Sequence, residues 1–415
     1  MQHPVDEKPS PLTDLKVLDL AGPIGVYCTK LLADLGADVI RIEPPTGDPM
    51  RDIAPLHEGQ PDRENSLYWW HFNTSKRGVT LDLEQPEGQE LFKRLIKWAD
   101  IAVESFVPGY MASLGIGFEN LAELNPGLIL TSVTPFGQHG PYSEFKGPDI
   151  VGQAMSGVMQ QVGFDGRAPY TIATESAYWS AAIFAANATM LAVTSRDFTG
   201  VGQQIDVSMQ RAMSLGAGNA IPTYDVLGEV LHRGDMFERG RGQVRAVLPC
   251  KDGYIFFIAA APGTSMEAVH DLMADYGFGD KFDLRWLDAA FVREDPVERQ
   301  RFENFAVEFF SHYTRRELMD MAFNREKQVF AVPTDTPEDV ANSPQLIDRG
   351  FFVDVDHPGI DDPIRYLGPP FRLPESPWRL TRRAPELGQH NEEVYHDMLG
   401  IGQNDLARLT SKGVI

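Results

Sequence analysis

Apolar residues first gather into a short run, Val17 to Leu20, that stops at Gly22-Pro23. A buried strand ending in a loop reads this way. Leu31, Leu32 and Leu35 then fall on one helical face, with Gly36 placed to close the helix. Val39 and Ile40 open a second strand, which is expected to end with Arg41 and Glu43 exposed before Pro44-Pro45. A helix joining two apolar strands at this spacing is a βαβ unit and predicts a parallel sheet. The alternation continues to about residue 225. Ile101 to Val103 and Leu128 to Val133 read as strands. Pro86 to Trp98 reads as a helix, acidic in its first turn and basic in its last. Tyr178 to Val193 is alanine-rich and predicts a buried helix.

From about residue 226 the texture changes. Arg239 to Gln243 reads as a basic loop. Val247 to Ile258 reads as two strands around Asp252-Gly253. Met266 to Tyr276 and Pro296 to Phe310 read as helices, and the aromatic residues from Phe302 to Tyr313 as the core of a smaller domain. Residues 355 to 385 are dense in proline and predict an extended connection. A last helix precedes Ile415. The expected organisation is a large domain begun by 1–225, a small domain over 226–330, and a connection returning to the large domain over 331–415. No internal repeat is evident.

Composition changes this picture little. The chain has 415 residues, 43% hydrophobic and 23% charged, as an ordinary globular protein does. No continuous apolar run of spanning length is present, so no membrane span is expected. Two cysteines, Cys28 and Cys250, do not make a disulfide framework, and Cys28 is expected to be buried and inert. These features predict a cytoplasmic protein. The net charge of −22 argues against nucleic acid as a partner. The dinucleotide fingerprint is also missing. Ala21-Gly22-Pro23-Ile24-Gly25 lacks its glycines, and Pro23 removes a donor that a phosphate would use.

The segments Val17-Leu-Asp-Leu-Ala-Gly-Pro23 and Leu32-Ala-Asp-Leu-Gly-Ala-Asp-Val-Ile-Arg-Ile-Glu43 are followed by Asn73-Thr-Ser-Lys-Arg77 and Val103-Glu-Ser-Phe-Val-Pro-Gly109. Phe136-Gly137, Asp149-Ile-Val-Gly-Gln153, Thr199-Gly-Val-Gly-Gln203 and Ala384-Pro-Glu-Leu-Gly388 come after them. In this order, over nearly the whole chain, they resemble the family III CoA-transferases. That group takes in formyl-CoA and carnitine CoA-transferases and methylacyl-CoA racemases. The resemblance implies an α/β fold with a Rossmann-like parallel-sheet large domain, a smaller α+β domain and an interlocked dimer. It implies coenzyme A as co-substrate, an acyl-CoA and a carboxylic acid as substrates, and no metal. It places Phe106 against the adenine, with Ser105 where the family has Asn. A polyanion such as CoA needs basic residues against this acidic background. Arg41, Arg51, Lys76 and Arg77, near predicted strand ends, are the candidates, with ordinary surface charge as the alternative.

The family's reacting group is an aspartate before an alanine-rich helix. Its carboxylate attacks the acyl-CoA carbonyl and then accepts the thiolate. Counting back from Gln203 by the family's spacing lands on Tyr178. A phenol is not expected to do this chemistry. Glu175 lies three residues earlier, about one helical turn, and is the candidate nucleophile. Its alternative role is that of a dipole partner at the helix N-terminus, with Thr174 as N-cap. Two readings follow. Either the chain transfers CoA through Glu175, or it is the silent subunit of a heteromer whose paralogous partner supplies the aspartate. The benzylsuccinate CoA-transferases are built from two such subunits, and Arg241 to Arg245 with Leu248 to Gly253 resembles them. Racemases of this fold need a His before the Asp of the Asp-Ile pair together with the catalytic aspartate; Pro148 and Tyr178 stand there. The stretch Ile258-Ala-Ala-Ala-Pro-Gly263 stands where formyl-CoA transferase has mobile glycines and predicts a stiffer lid. Trp69, Trp70, Tyr178 and Trp179 point to a bulky or apolar acid, or to core.

Overall fold

The structure, a computed structural model, describes residues 8–59, 62–163, 166–231, 244–260, 265–327 and 329–415. The basic loop expected at 239–243, part of the segment 241–245 and the lid positions 261–264 lie outside the described residues. The chain divides into two compact units. One holds the residues up to Val158, Ile172–Gly216 and Ile347–Ile415; the other holds Met159–Thr171 and Ala217–Leu346.

The first unit is an α/β fold built in the order β1 (Lys16–Leu20), α1 (Val26–Asp34), β2 (Asp38–Glu43), α2 (Leu67–Phe72), β3 (Lys76–Thr80), α3 (Pro86–Trp98) and β4 (Ile101–Glu104). It continues with α4 (Tyr110–Ser113), α5 (Phe118–Leu124), β5 (Ile129–Thr134), α6 (Asp149–Met155), α7 (Ser176–Thr199), β6 (Gln203–Ser208) and α8 (Met209–Ser214). The strands pair in parallel in the order β3-β2-β1-β4-β5-β6. Both faces are covered, so β4 and β5 are buried along their whole length, as strands of a parallel sheet are. The predicted helix Pro86–Trp98 forms over those residues. Pro86 sits in its first turn and Leu91, Phe92, Leu95 and Ile96 are buried. Fully burying each such side chain contributes roughly 1.5–3 kcal/mol. Val394, Tyr395, Leu409 and Ile415 join the same core. The end of the chain therefore packs with its beginning.

Several local expectations are corrected. Arg41 and Glu43 are buried, not exposed, because each faces an opposite charge inside the fold. The stretch read as an extended connection, 355–385, overlaps an antiparallel hairpin, Phe352–Val355 with Ile364–Leu367. Its inward Val355 and Tyr366 pack against Trp69 and Trp70, so these two tryptophans belong to a core. The helix Ser176–Thr199 is by length and composition apolar enough to cross a membrane, although the sequence contains no unbroken apolar run. Its alanine face, from Ala177 to Val193, is nevertheless buried in the fold.

The second unit carries the three-stranded antiparallel sheet β7 (Val247–Cys250), β8 (Gly253–Ile258) and β9 (Phe330–Pro333). Phe302, Phe305, Phe309 and Phe310 of the helix Pro296–Phe310 fill its core with Trp286 and Phe257.

Candidate active site

The N-terminus of α7 is built from three elements. Asp149 opens α6, and its side chain caps α7: Oδ1 accepts the N–H groups of Ala177 and Tyr178, both at 2.9 Å. Gln153 Nε2 donates to the other oxygen at 2.6 Å. The sequence predicts Thr174 as the cap of α7, and Asp149, as the first residue of α6, would serve its own helix. Neither does so, because the donors that need an acceptor belong to α7, and the carboxylate that reaches them comes from 28 residues earlier.

This frees Glu175. It occupies the N-cap position of α7, yet its side chain accepts no helix N–H. Tyr68 of α2 instead donates its hydroxyl to Glu175 Oε2 at 2.9 Å. Tyr68 is held from below by Phe72, with ring centroids 4.6 Å apart, and α2 is capped by Ser66. Burial pushes the Glu175 carboxyl above the ordinary range. The Tyr68 hydrogen bond pulls it down, and the nearby Asp149 charge pushes it up. Burial also raises the Tyr178 phenol, which is half-buried one turn on, so it stays un-ionised at neutral pH. The arrangement offers one carboxylate of raised basicity, held by the Tyr68 phenol, with a second phenol, Tyr178, near enough to feel its charge.

A cleft of about 520 Å³ lies at the C-terminal ends of β1 to β4. This edge of a parallel sheet, where strand order reverses, is where such folds bind ligands. Gly22 donates its N–H to Ser105 Oγ at 2.6 Å, tying the two loops together. Phe106 and Tyr110 form an aromatic pair, centroids 4.9 Å apart. Arg41 also lines the cleft, but its guanidinium binds Asp19, Asp48 and the Ala21 carbonyl. Asp82 and Glu84 bring further negative charge to the wall.

The structure thus brings Arg41, Ser105 and Phe106 to one cleft and Glu175 and Tyr178 to one helix end. Lys76 and Arg77 lie elsewhere, at the start of β3 instead of in a loop after a strand. Lys76 is fully buried, with Nζ 2.9 Å from Asp19 and 2.9 Å from Thr29 Oγ1. Arg77 pairs with Asp38 at 2.7 Å and Glu393 at 3.0 Å. Tyr68 was missed. Its partner is 107 residues away, and nothing local marks it. Among the described residues no cluster of three metal-ligating side chains occurs.

The family model for CoA-transferase family III matches residues 12–391. The chain belongs to CoA-transferase family III. It is 34% identical, over 91% of this chain and 92% of the relative, to succinyl-CoA:(R)-benzylsuccinate CoA-transferase subunit BbsE of Thauera aromatica. It is 32% identical, over 98% of each chain, to succinyl-CoA–D-citramalate CoA-transferase of Chloroflexus aurantiacus. A solved CAIB/BAIF family protein from Brucella suis superposes with a TM-score of 0.82 at 29% identity, covering 94% of this chain and all 100% of the other. CoA-transferases of this family use CoA thioesters as co-substrates.

Proposed function

We propose that this family III chain moves CoA between an acyl-CoA and a carboxylic acid, with Glu175 as the carboxylate that carries the acyl group and then CoA. The observation that carries the reading is the capping of α7 by Asp149, which leaves Glu175 uncommitted to the helix one turn before Tyr178. A Glu175 oxygen attacks the thioester carbonyl, and the C–S bond breaks to release CoA thiolate and a mixed anhydride. The thiolate then attacks the Glu175 carbonyl, the first acid leaves as its carboxylate, and a γ-glutamyl-CoA thioester forms. The incoming acid reverses both steps. Tyr178 lines the acyl pocket in this scheme. Ser105, Phe106 and Arg41 serve the adenosine end of CoA at the cleft, and Lys76 and Arg77 support the sheet beneath it. Succinyl-CoA, named for both relatives, is a reasonable donor class. Two free cysteines suit a reducing cytoplasm. The working assembly is an interlocked dimer of this chain or a pair with a paralogous family III subunit.

One observation favours a second reading, the silent subunit. The charges of Arg41, Lys76 and Arg77 are all matched by carboxylates inside the chain, which leaves them little to offer a polyanion. Transfer activity of purified Glu175→Gln against wild type separates the two. The first reading expects a loss of at least about a thousandfold. Unchanged activity removes Glu175 from the mechanism. A wild-type chain inactive alone but active with a paralogous chain supports the second.

A further inference from the structure

We infer that Tyr68 is the positioning residue of the reacting carboxylate: its hydroxyl fixes Glu175 Oε2, turns Oε1 toward the acyl group and stabilises the charge that returns to Oε2 during CoA transfer. The inference rests on the proposed role of Glu175. Among the described residues Tyr68 is the one side chain that hydrogen-bonds to Glu175, at 2.9 Å, and Oε1 receives no hydrogen bond. The donor is rigid. Tyr68 lies on a helix capped by Ser66, its ring rests on Phe72, and the neighbouring Trp69 is locked by donating Nε1 to the Pro385 carbonyl at 3.0 Å. Both partners come from the same compact unit.

The chemistry uses each oxygen differently. When Oε1 attacks the acyl carbonyl, Oε2 becomes the carbonyl oxygen of the glutamyl half of the anhydride. When thiolate attacks that carbonyl, its electron pair moves onto Oε2, and the tetrahedral oxyanion sits against the Tyr68 O–H. Collapse returns the pair to the carbonyl and expels the acid. A preorganised donor at an oxygen where charge develops typically contributes a hundredfold or more in kcat, on the order of 10²–10³. Burial first, then the Glu175 charge, raises the Tyr68 phenol, so it remains a donor through the physiological range. The same hydrogen bond favours the ionised form of Glu175, the form that attacks.

The test is Tyr68→Phe, which keeps the ring on Phe72 and removes only the hydroxyl. Carbodiimide labelling of Glu175, followed across pH by peptide mass spectrometry, reports when this carboxyl protonates and needs no turnover. The labelling midpoint in Tyr68→Phe is expected to rise by about one pH unit. In turnover assays the acid limb rises with it, and kcat falls at least about tenfold while KM for the acyl-CoA holds. Tyr178→Phe serves as the control for a general loss of hydroxyls at this helix end, and leaves the labelling midpoint in place. An unchanged midpoint in Tyr68→Phe overturns the inference and leaves the Glu175 reading intact. Full transfer activity in Glu175→Gln overturns both.

Discussion

Asp19 gathers the charges beneath the large sheet. It is fully buried and binds Arg41 at 2.9 Å, Lys76 at 2.9 Å and Thr29 Oγ1 at 2.8 Å. Burial alone would raise its carboxyl, but the adjacent Lys76 and Arg41 outweigh that and hold it below the ordinary range. Its contribution to stability is thus present at neutral pH and lost as pH falls through the depressed folded value. Lys76→Met leaves Asp19 with half its compensation in a site closed to water. The expected cost is about 3–5 kcal/mol in urea unfolding, and a loss below about 1 kcal/mol would contradict this account of the network. In the sequence, Lys76 and Arg77 are legible only as two cations near a strand. Their partners lie 57 and 316 residues away, so burial and pairing are properties of the assembled sheet, beyond the reach of a local pattern. Tyr68 gives no local signal for the same reason, while Glu175 stands out in the sequence because the family's spacing puts it three residues before Tyr178.

At the scale of elements, local chemistry carried much of the fold. The helix Pro86–Trp98 is set by Pro86, by the acidic first turn and by an apolar face, all within one stretch. The hairpin around Asp252-Gly253 was similarly visible. The helix α7 was visible too, yet it runs from Ser176 to Thr199, longer than its alanine-rich centre, and is capped from outside by Asp149. Its C-terminal end turns through Gly200, at φ +73°, and then passes Gly202 against β5. A Cβ on Gly202 would lie 2.0 Å from the Leu128 carbonyl oxygen. The atoms it would meet are all backbone of Gly127–Leu128, with no flexible side chain to yield, so Gly202→Ala is expected to cost more than about 4 kcal/mol by thermal unfolding. Gly402→Ala, where nothing stands within 4 Å of the added carbon and φ is −63°, should stay within about 0.5 kcal/mol. Equal stability of the two variants would sink the close-packing argument. The hairpin Phe352–Val355 with Ile364–Leu367 was hidden because prolines around it masked a short alternation. Its inward residues find their apolar partners on α2, nearly 300 positions earlier.

At the scale of the whole chain, a parallel sheet in the order β3-β2-β1-β4-β5-β6 holds the cleft at one edge, and the carboxylate of Glu175 stands at the N-cap of α7. The scaffold is that of CoA-transferase family III, while in our reading the family's spacing, counted back from Gln203, puts Tyr178 at the reacting position. The central claim is that the chemistry has moved to Glu175. The most direct measurement is mass spectrometry of the purified chain after incubation with succinyl-CoA and trapping by borohydride or hydroxylamine, run on the chain alone and with a paralogous family III chain. The account predicts that Glu175 itself is converted, to the reduced side chain with borohydride and to the hydroxamate with hydroxylamine, and that Glu175→Gln abolishes the product. Trapping confined to an aspartate of the paralogous chain, with Glu175 unmodified, would contradict it and make this chain the silent partner.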